Sequence, residues 1–454
     1  LKKQEEKPTL RRVLGVPDGV AILIGITIGA GIYSTPQLIA GYLSSFKSII
    51  SLWVIVGVLV VVCGLIYAEL GTRLPSTGGE YIYLSRSFGP FAGFMFGWAQ
   101  LFIVRTYPAA GLAIVTADYL GYFVRLGKLT HLLVALSVIF ILGVFNYVGV
   151  EWASGFQKVS TFIKVCGLLV MIVAGLVLMG GHESLLSTEA PPTGTLGPVG
   201  NLIAAMMLVF FSHTGWDRVG YVAGEMRNPK RVIPWSLMLG IGTIITIYLL
   251  LNLVYYRTLG IEGMRKSTIV ASDTAIKLFG PLGAAFVSLL VMTSTVGSIN
   301  GTMLASSRVY YAMARDRLFF KWLDFIHPRF RTPSRAVAIH CLWAGVILLV
   351  RGTFETIASG MVFAILIFLT LNTIALFKFR IKEPERREVF RIPFFPILPG
   401  VFLMGIFVLI VFRAIFEWQK SLIDLAFIAT GLPFSFIWCK RRRKESITKN
   451  GTER

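Results

Sequence analysis

The chain of 454 residues is 55% hydrophobic and 15% charged, with a mean hydropathy of +0.73 and a formal net charge of +21. Soluble domains carry about 25% charged residues, so this chain has too little polar surface to cover itself in water. That excludes a soluble enzyme, a nucleic-acid binder and a disordered tail.

A bilayer crossing needs ~20 predominantly apolar residues. Twelve segments qualify in chain order: 18–41, 49–70, 89–123, 130–149, 158–181, 201–226, 232–256, 281–311, 335–350, 356–379, 397–416 and 421–439. The first lacks a small-residue cleavage site and leads straight into further spans, so it reads as a membrane helix, not a signal peptide. The ninth is the shortest and begins just after Pro333. The four cysteines, Cys63, Cys166, Cys341 and Cys439, each sit in an apolar run. None forms a CxxC pair, so neither a disulfide framework nor a zinc site is indicated.

Twelve spans put both termini on one side. Termini and even-numbered loops hold 31 Lys and Arg residues against 10 in the odd-numbered loops. By the positive-inside rule both termini are expected in the cytoplasm, with the multi-pass chain in the plasma membrane. The expected organisation is a cytoplasmic N-terminal segment (1–17), a first five-span repeat (18–181), an external loop (182–199), a second repeat (200–380), two further helices (381–439) and a basic cytoplasmic tail (440–454).

Two spans carry a Gly-centred interruption. One runs from Gly25 through Thr27, Ile28, Gly29, Ala30 and Gly31 to Tyr33, the other from Phe210 through Phe211, Ser212, His213, Thr214 and Gly215 to Asp217. They fall in spans one and six, the corresponding members of two five-span halves. Paired interruptions of this kind point to the binding site of an inverted-repeat transporter. An unwound segment bares amides at the start of its second half-helix, which suit a carboxylate. It also bares carbonyls at the end of its first half, which suit an ammonium. A zwitterionic α-amino acid presents both charges.

These residues carry a resemblance. The run from Gly19 to Ile22 and from Gly29 to Pro36 resembles the first helix of the amino acid–polyamine–organocation superfamily, and more narrowly of L-type amino-acid transporters and their bacterial relatives. Tyr67 to Thr72, Ser76 to Tyr81, Gly215-Trp216-Asp217 with Glu225, Asn228-Pro229 and Pro234, and Asn300 with Ser306-Ser307-Arg308 and Ile326-His327-Pro328 are similar to further motifs of that family. The resemblance implies an all-α integral membrane protein of twelve transmembrane helices, with a LeuT-like 5+5 inverted repeat and broken helices one and six.

It also implies a site. The α-carboxylate is expected on the amides around Gly29, Ala30 and Gly31. The α-amino group is expected on carbonyls near Thr27 and Ile28 and near Phe211, Ser212 and Thr214, with Phe211 as an aromatic gate. Enlarging Gly31 to Val is expected to block the ligand without unfolding the chain. Lys164 lies deep in the fifth span, where a bare lysine costs several kcal/mol unless paired or facing water. The family has a lysine there, standing where sodium-coupled relatives bind Na⁺. Asp217 is the candidate side-chain selector, with Arg218 as its possible neutraliser. Arg105 and Asp118 stand 13 residues apart on the third span and cannot pair directly, which leaves Arg105 as a structural cation facing the bundle.

The functional expectation is a sodium-independent amino-acid transporter, exchanger or facilitator, with neutral L-amino acids ranked first. The alternative is a proton-coupled symporter of cationic amino acids or polyamines, in which Asp217, Glu69, His213 or Lys164 itself carries the proton. No HExxH or Ser/His constellation lies within the spans, so no catalysis is expected, and no cofactor and no metal are implied. The family's light subunits bind a heavy chain through a cysteine between spans three and four; here 124–130 has none. The expected partners are therefore an amino-acid substrate and the lipid bilayer, without a disulfide-linked heavy chain or nucleic acid.

Overall fold

A computed structural model describes residues 10–178, 194, 197–267, 269–351, 354–383, 389–416 and 418–438. Most of the expected external loop, the basic tail and Cys439 lie outside the described residues.

The described chain is helical. α1 (Val16–Thr27) and α2 (Gly31–Tyr42) are followed by α3 (Phe46–Arg73), α4 (Glu80–Phe88) and α5 (Pro90–Ala99). A π-helical turn, Gln100–Val104, leads into α6 (Thr106–Leu120), then α7 (Lys128–Val148), α8 (Val150–Leu178) and α9 (Gly197–Ser212). A 3₁₀ helix, Trp216–Glu225, precedes α10 (Pro229–Lys266), α11 (Val270–Phe279) and α12 (Leu282–Arg315). The chain closes with α13 (Ser334–Arg351), α14 (Phe354–Lys382), α15 (Ile397–Phe416) and α16 (Trp418–Ala429).

Among the described residues nine helices are long and apolar enough to cross a membrane, or ten when α1 and α2 count as one span bent by 44°. The ninth expected span is the short apolar stretch Ser334–Leu349. The twelfth is represented by α16, 12 residues long, and by a further helical stretch over 432–438 after a turn at 430–431.

Local sequence explains several boundaries. Pro17 stands in the first turn of α1, where a missing N–H costs nothing. Asp18 Oδ2 accepts the Gly15 amide at 2.9 Å. Ser45 caps α3 by accepting the Ser48 amide at 3.2 Å.

The inner layer comprises α1, α3, α8, α10 and α12. α10 packs along both α3 and α1, and α12 lies against α1, α6 and α8. Large apolar side chains such as Phe140, Phe162, Val177, Met404 and Phe407 instead face outward on α7, α8 and α15. That is the arrangement of a chain whose outer solvent is hydrocarbon.

Candidate substrate cavity

Both expected breaks are present, and they touch. The first spans Ile28, Gly29 and Ala30 between α1 and α2. The second spans His213, Thr214 and Gly215 between α9 and the 3₁₀ helix. Gly215 has φ +127°, and a β-carbon there would lie 3.0 Å from Thr27 Oγ1. Only glycine meets both the backbone conformation and the close approach. The Tyr248 hydroxyl, from α10, sits 3.1 Å from both Thr27 O and Ser212 O and so ties the two breaks together.

Between them lies a cavity lined by Ile26, Thr27, Gly29, Ala30, Gly31, Pro108, Leu112, Phe211, Ser212, Thr214, Arg218, Thr302 and Met361. Seven expected site residues meet here: Thr27, Gly29, Ala30, Gly31, Phe211, Ser212 and Thr214. The amides of Ala30, Gly31 and Ile32 open α2 with no backbone acceptor among the described residues. They are the unpaired donors of a helix start. Thr27 Oγ1 is buried without a partner. The carbonyl of Phe211 is taken by Thr214, through its amide at 3.0 Å and its hydroxyl at 2.8 Å.

The space open to a water-sized molecule is about 60 Å³, well below the ~300–1,000 Å³ of ordinary ligand pockets. An amino acid therefore needs the walls to separate. A basin of about 1120 Å³, lined by Arg12, Thr77, Arg86, Gly224, Tyr311 and Arg315 among others, opens on the side of the basic loops. The 3₁₀ helix runs from the cavity at Arg218 to this basin at Gly224.

Three expected site residues are not cavity-lining. Ile28 presents its carbonyl away from the cavity, to Lys164 Nζ at 2.8 Å, Ser294 Oγ at 2.7 Å and Ser298 Oγ at 3.3 Å. Lys164 is fully buried and also donates to Gly25 O and Ser294 O, both at 2.9 Å. Its ammonium is thus the hub joining α8, the broken end of α1 and α12.

Asp217 is the third, and here the sequence expectation needs correction. Its Oδ2 accepts from Arg105 Nη2, with the Tyr221 hydroxyl 3.3 Å away. The group that neutralises it is therefore Arg105, not its neighbour Arg218. Arg105 also donates to Gln100 Oε1 at 2.5 Å and to the Tyr221 hydroxyl at 2.9 Å. Glu80 completes this cluster, accepting from the hydroxyls of Tyr67 and Tyr221 and from Asn372 Nδ2 at 3.0 Å. Sequence reading missed Glu80, Tyr221 and Asn372 as one network, although the buried charge of Arg105 demanded carboxylate partners.

Arg218 faces the cavity instead, and its Nη1 donates to Thr302 Oγ1 at 2.5 Å. The remaining titration candidates are engaged elsewhere. Glu69 is held by Arg73, Arg380 and the Ile392 amide. His213 packs between Trp53 and Tyr248, with Nδ1 2.9 Å from Val209 O. Asp118 pairs with His131 at 2.7 Å and does not meet Arg105.

Known proteins are similar to this chain along most of its length. The amino acid permease family profile matches residues 14–432. The cystine/glutamate transporter of Homo sapiens is 28% identical, covering 98% of this chain and 90% of the relative. The serine/threonine exchanger SteT of Bacillus subtilis is 26% identical, covering 95% of this chain and 98% of the relative. The b(0,+)-type amino acid transporter 1 of Mus musculus is 27% identical, covering 96% and 92%.

Proposed function

The chain belongs to the amino acid permease family, and from that premise we propose that it is a sodium-independent amino-acid exchanger or facilitator. It works by alternating access within a twelve-span, 5+5 inverted-repeat fold. Both termini face the cytoplasm across the plasma membrane, and no disulfide-linked heavy chain is needed.

One observation carries the reading: two helix breaks share a cavity, and one of them offers the unpaired amides of Ala30, Gly31 and Ile32. These receive the substrate's α-carboxylate. Thr27 Oγ1 and the carbonyl edge of the second break receive the α-amino group. Phe211 closes over the ligand. Lys164 occupies the carbonyls of Gly25 and Ile28 that a cation would otherwise take, which removes the need for Na⁺.

The proton-coupled, cationic alternative is less well supported. Its carboxylates are committed to Arg105 and to Arg73 with Arg380, and a cationic side chain would meet Arg218 in the cavity. Uncharged side chains, ranked first from the sequence, would find an apolar wall at Pro108, Leu112 and Met361, although Arg218 lines the same cavity.

The test is counterflow of labelled amino acids into proteoliposomes. Uptake is expected to persist unchanged when choline replaces Na⁺; dependence on Na⁺ overturns the proposal. Methyl esters and decarboxylated amines are expected not to compete, because they lack one of the two groups read by backbone. Lys164→Ala removes a donor from three buried carbonyls at ~1–3 kcal/mol for each group left unsatisfied, and serine hydroxyls still serve two of them. Turnover is expected to fall about tenfold to a hundredfold, by ~1.4 kcal/mol per decade.

A further inference from the structure

Among the described residues Arg218 is bonded to no carboxylate. Arg73, Arg105 and Arg308 are equally interior, and each holds one, on Glu69, Asp217 and Glu225 respectively. Among the described residues no carboxylate oxygen lies within 4 Å of the Arg218 guanidinium, although the side chain is 3% exposed. Its bond to Thr302 uses one of five N–H donors, and its Nε is buried with no acceptor. A guanidinium that dry is costly unless paired.

The surroundings place no carboxylate in direct contact with it. Asp217, the adjacent residue, attracts Arg218 through space but does not bond it, its Oδ2 accepting from Arg105 instead. Tyr310 and His340 bond each other at 3.2 Å and offer no negative charge. Pro108, Leu112, Phe211 and Met361 make the rest of the cavity wall apolar. The space that Arg218 and Thr302 line is the substrate cavity itself, which puts the unused donors where a substrate group reaches them.

The α-carboxylate is not that group, since the amides opening α2 already await it. Two separate anion-seeking features therefore line one cavity, one made of backbone and one of side chain. We infer that Arg218, seated by Thr302, binds a second carboxylate at the end of the substrate's side chain. The preferred cargo is an acidic α-amino acid. This rests on the amino-acid reading above and replaces its neutral ranking. It also gives a reason for exclusion: a lysine- or arginine-like side chain would place two cations together in a poorly solvated space.

The test compares isosteres, because glutamate and glutamine differ in charge but hardly in size. Initial uptake of each is measured in sodium-free proteoliposomes, with aspartate, asparagine, leucine and lysine as competitors. Wild type is expected to favour glutamate over glutamine, and aspartate over asparagine, at least tenfold, which is ~1.4 kcal/mol. Lysine is expected not to compete. In Arg218→Gln the glutamate-to-glutamine ratio is expected to drop to about one. In Arg218→Lys, which keeps the charge but loses the planar fork, it is expected to stay between the two.

Glutamine or leucine moving while glutamate does not would overturn the role of Arg218 and leave amino-acid transport standing. If no amino acid moves, the transport reading falls and this inference falls with it. A glutamate preference that survives intact in Arg218→Gln also overturns the inference. Should Arg218→Gln not be recovered as folded protein, the wild-type ratio and the Arg218→Lys ratio decide the question.

Discussion

At Gly31 the two broken helices approach so closely that the residue serves packing as well as the ligand. A β-carbon here would lie 3.0 Å from Ser212 Cα and 3.3 Å from Ser212 Cβ. The obstacle is backbone, which cannot swing aside. The expectation that Gly31→Val blocks ligand without unfolding therefore needs revision: the valine methyls would first push α2 off α9. Overpacking of this kind costs ~1–3 kcal/mol. Gly31→Val is expected to lower the melting temperature of the detergent-solubilised protein and to abolish uptake. Gly31→Ala is expected to do both more mildly. Unchanged melting with lost uptake would restore the purely steric reading. Other residues of the site were hidden from sequence for a different reason. Arg105 and Asp217 are 112 positions apart, and nothing in either run announces that they meet. Arg218, one residue further on, diverges by ~100° along an α-helix, and by more in a 3₁₀ turn of three residues, so its neighbour's fate said little about its own.

The second half of the sixth span illustrates a partial success at the level of elements. Its break was legible because Gly215 sits in a polar run within an apolar span. The segment beyond the break was expected as a half-helix, yet it is the 3₁₀ segment Trp216–Glu225, ended by Asn228-Pro229. Tertiary ties hold this short element in place. Glu225 receives Arg308 through both oxygens, at 2.6 and 3.1 Å, and both side chains are fully buried. The Glu225 carbonyl accepts the amides of Val13 and Leu14 at 2.9 Å, and the Leu14 carbonyl accepts the Arg227 amide at 3.0 Å. The N-terminal segment is thereby laced to the wall between cavity and basin. Removing one partner of a buried ion pair costs ~3–5 kcal/mol, whereas replacing both by apolar groups is often neutral. Glu225→Ala is therefore expected to be strongly destabilised in a thermal melt. Glu225→Leu combined with Arg308→Met is expected to recover most of that loss. Equal damage in the single and double variants would mean that the pair is not the tie.

For the molecule as a whole, apolar runs made the helices legible, and the twelfth is where the reading thins: the span expected over 421–439 is interrupted by a turn at 430–431. Charge asymmetry supplies the expected orientation, because cationic loops tend to be retained on the cytoplasmic side. The wide basin lies on the side of Arg12, Arg86, Arg315 and Arg317, so in this conformation the broader approach to the wall faces the expected cytoplasm. Two exposed positions test that assignment from opposite sides. Lys128 begins α7 in a loop expected outside, and Arg329 lies in the basic stretch between α12 and α13 expected inside. Native thiols would confuse the readout: Cys63 is buried, but Cys166 and Cys341 are only partly so. In a background with all four cysteines replaced by serine or alanine, Lys128→Cys is expected to react with a membrane-impermeant maleimide on intact cells. Arg329→Cys is expected to react only after the cells are opened. The reverse pattern would invert the protein in the membrane and turn the basin outward. Labelling of both positions from outside would contradict the odd number of spans expected between them.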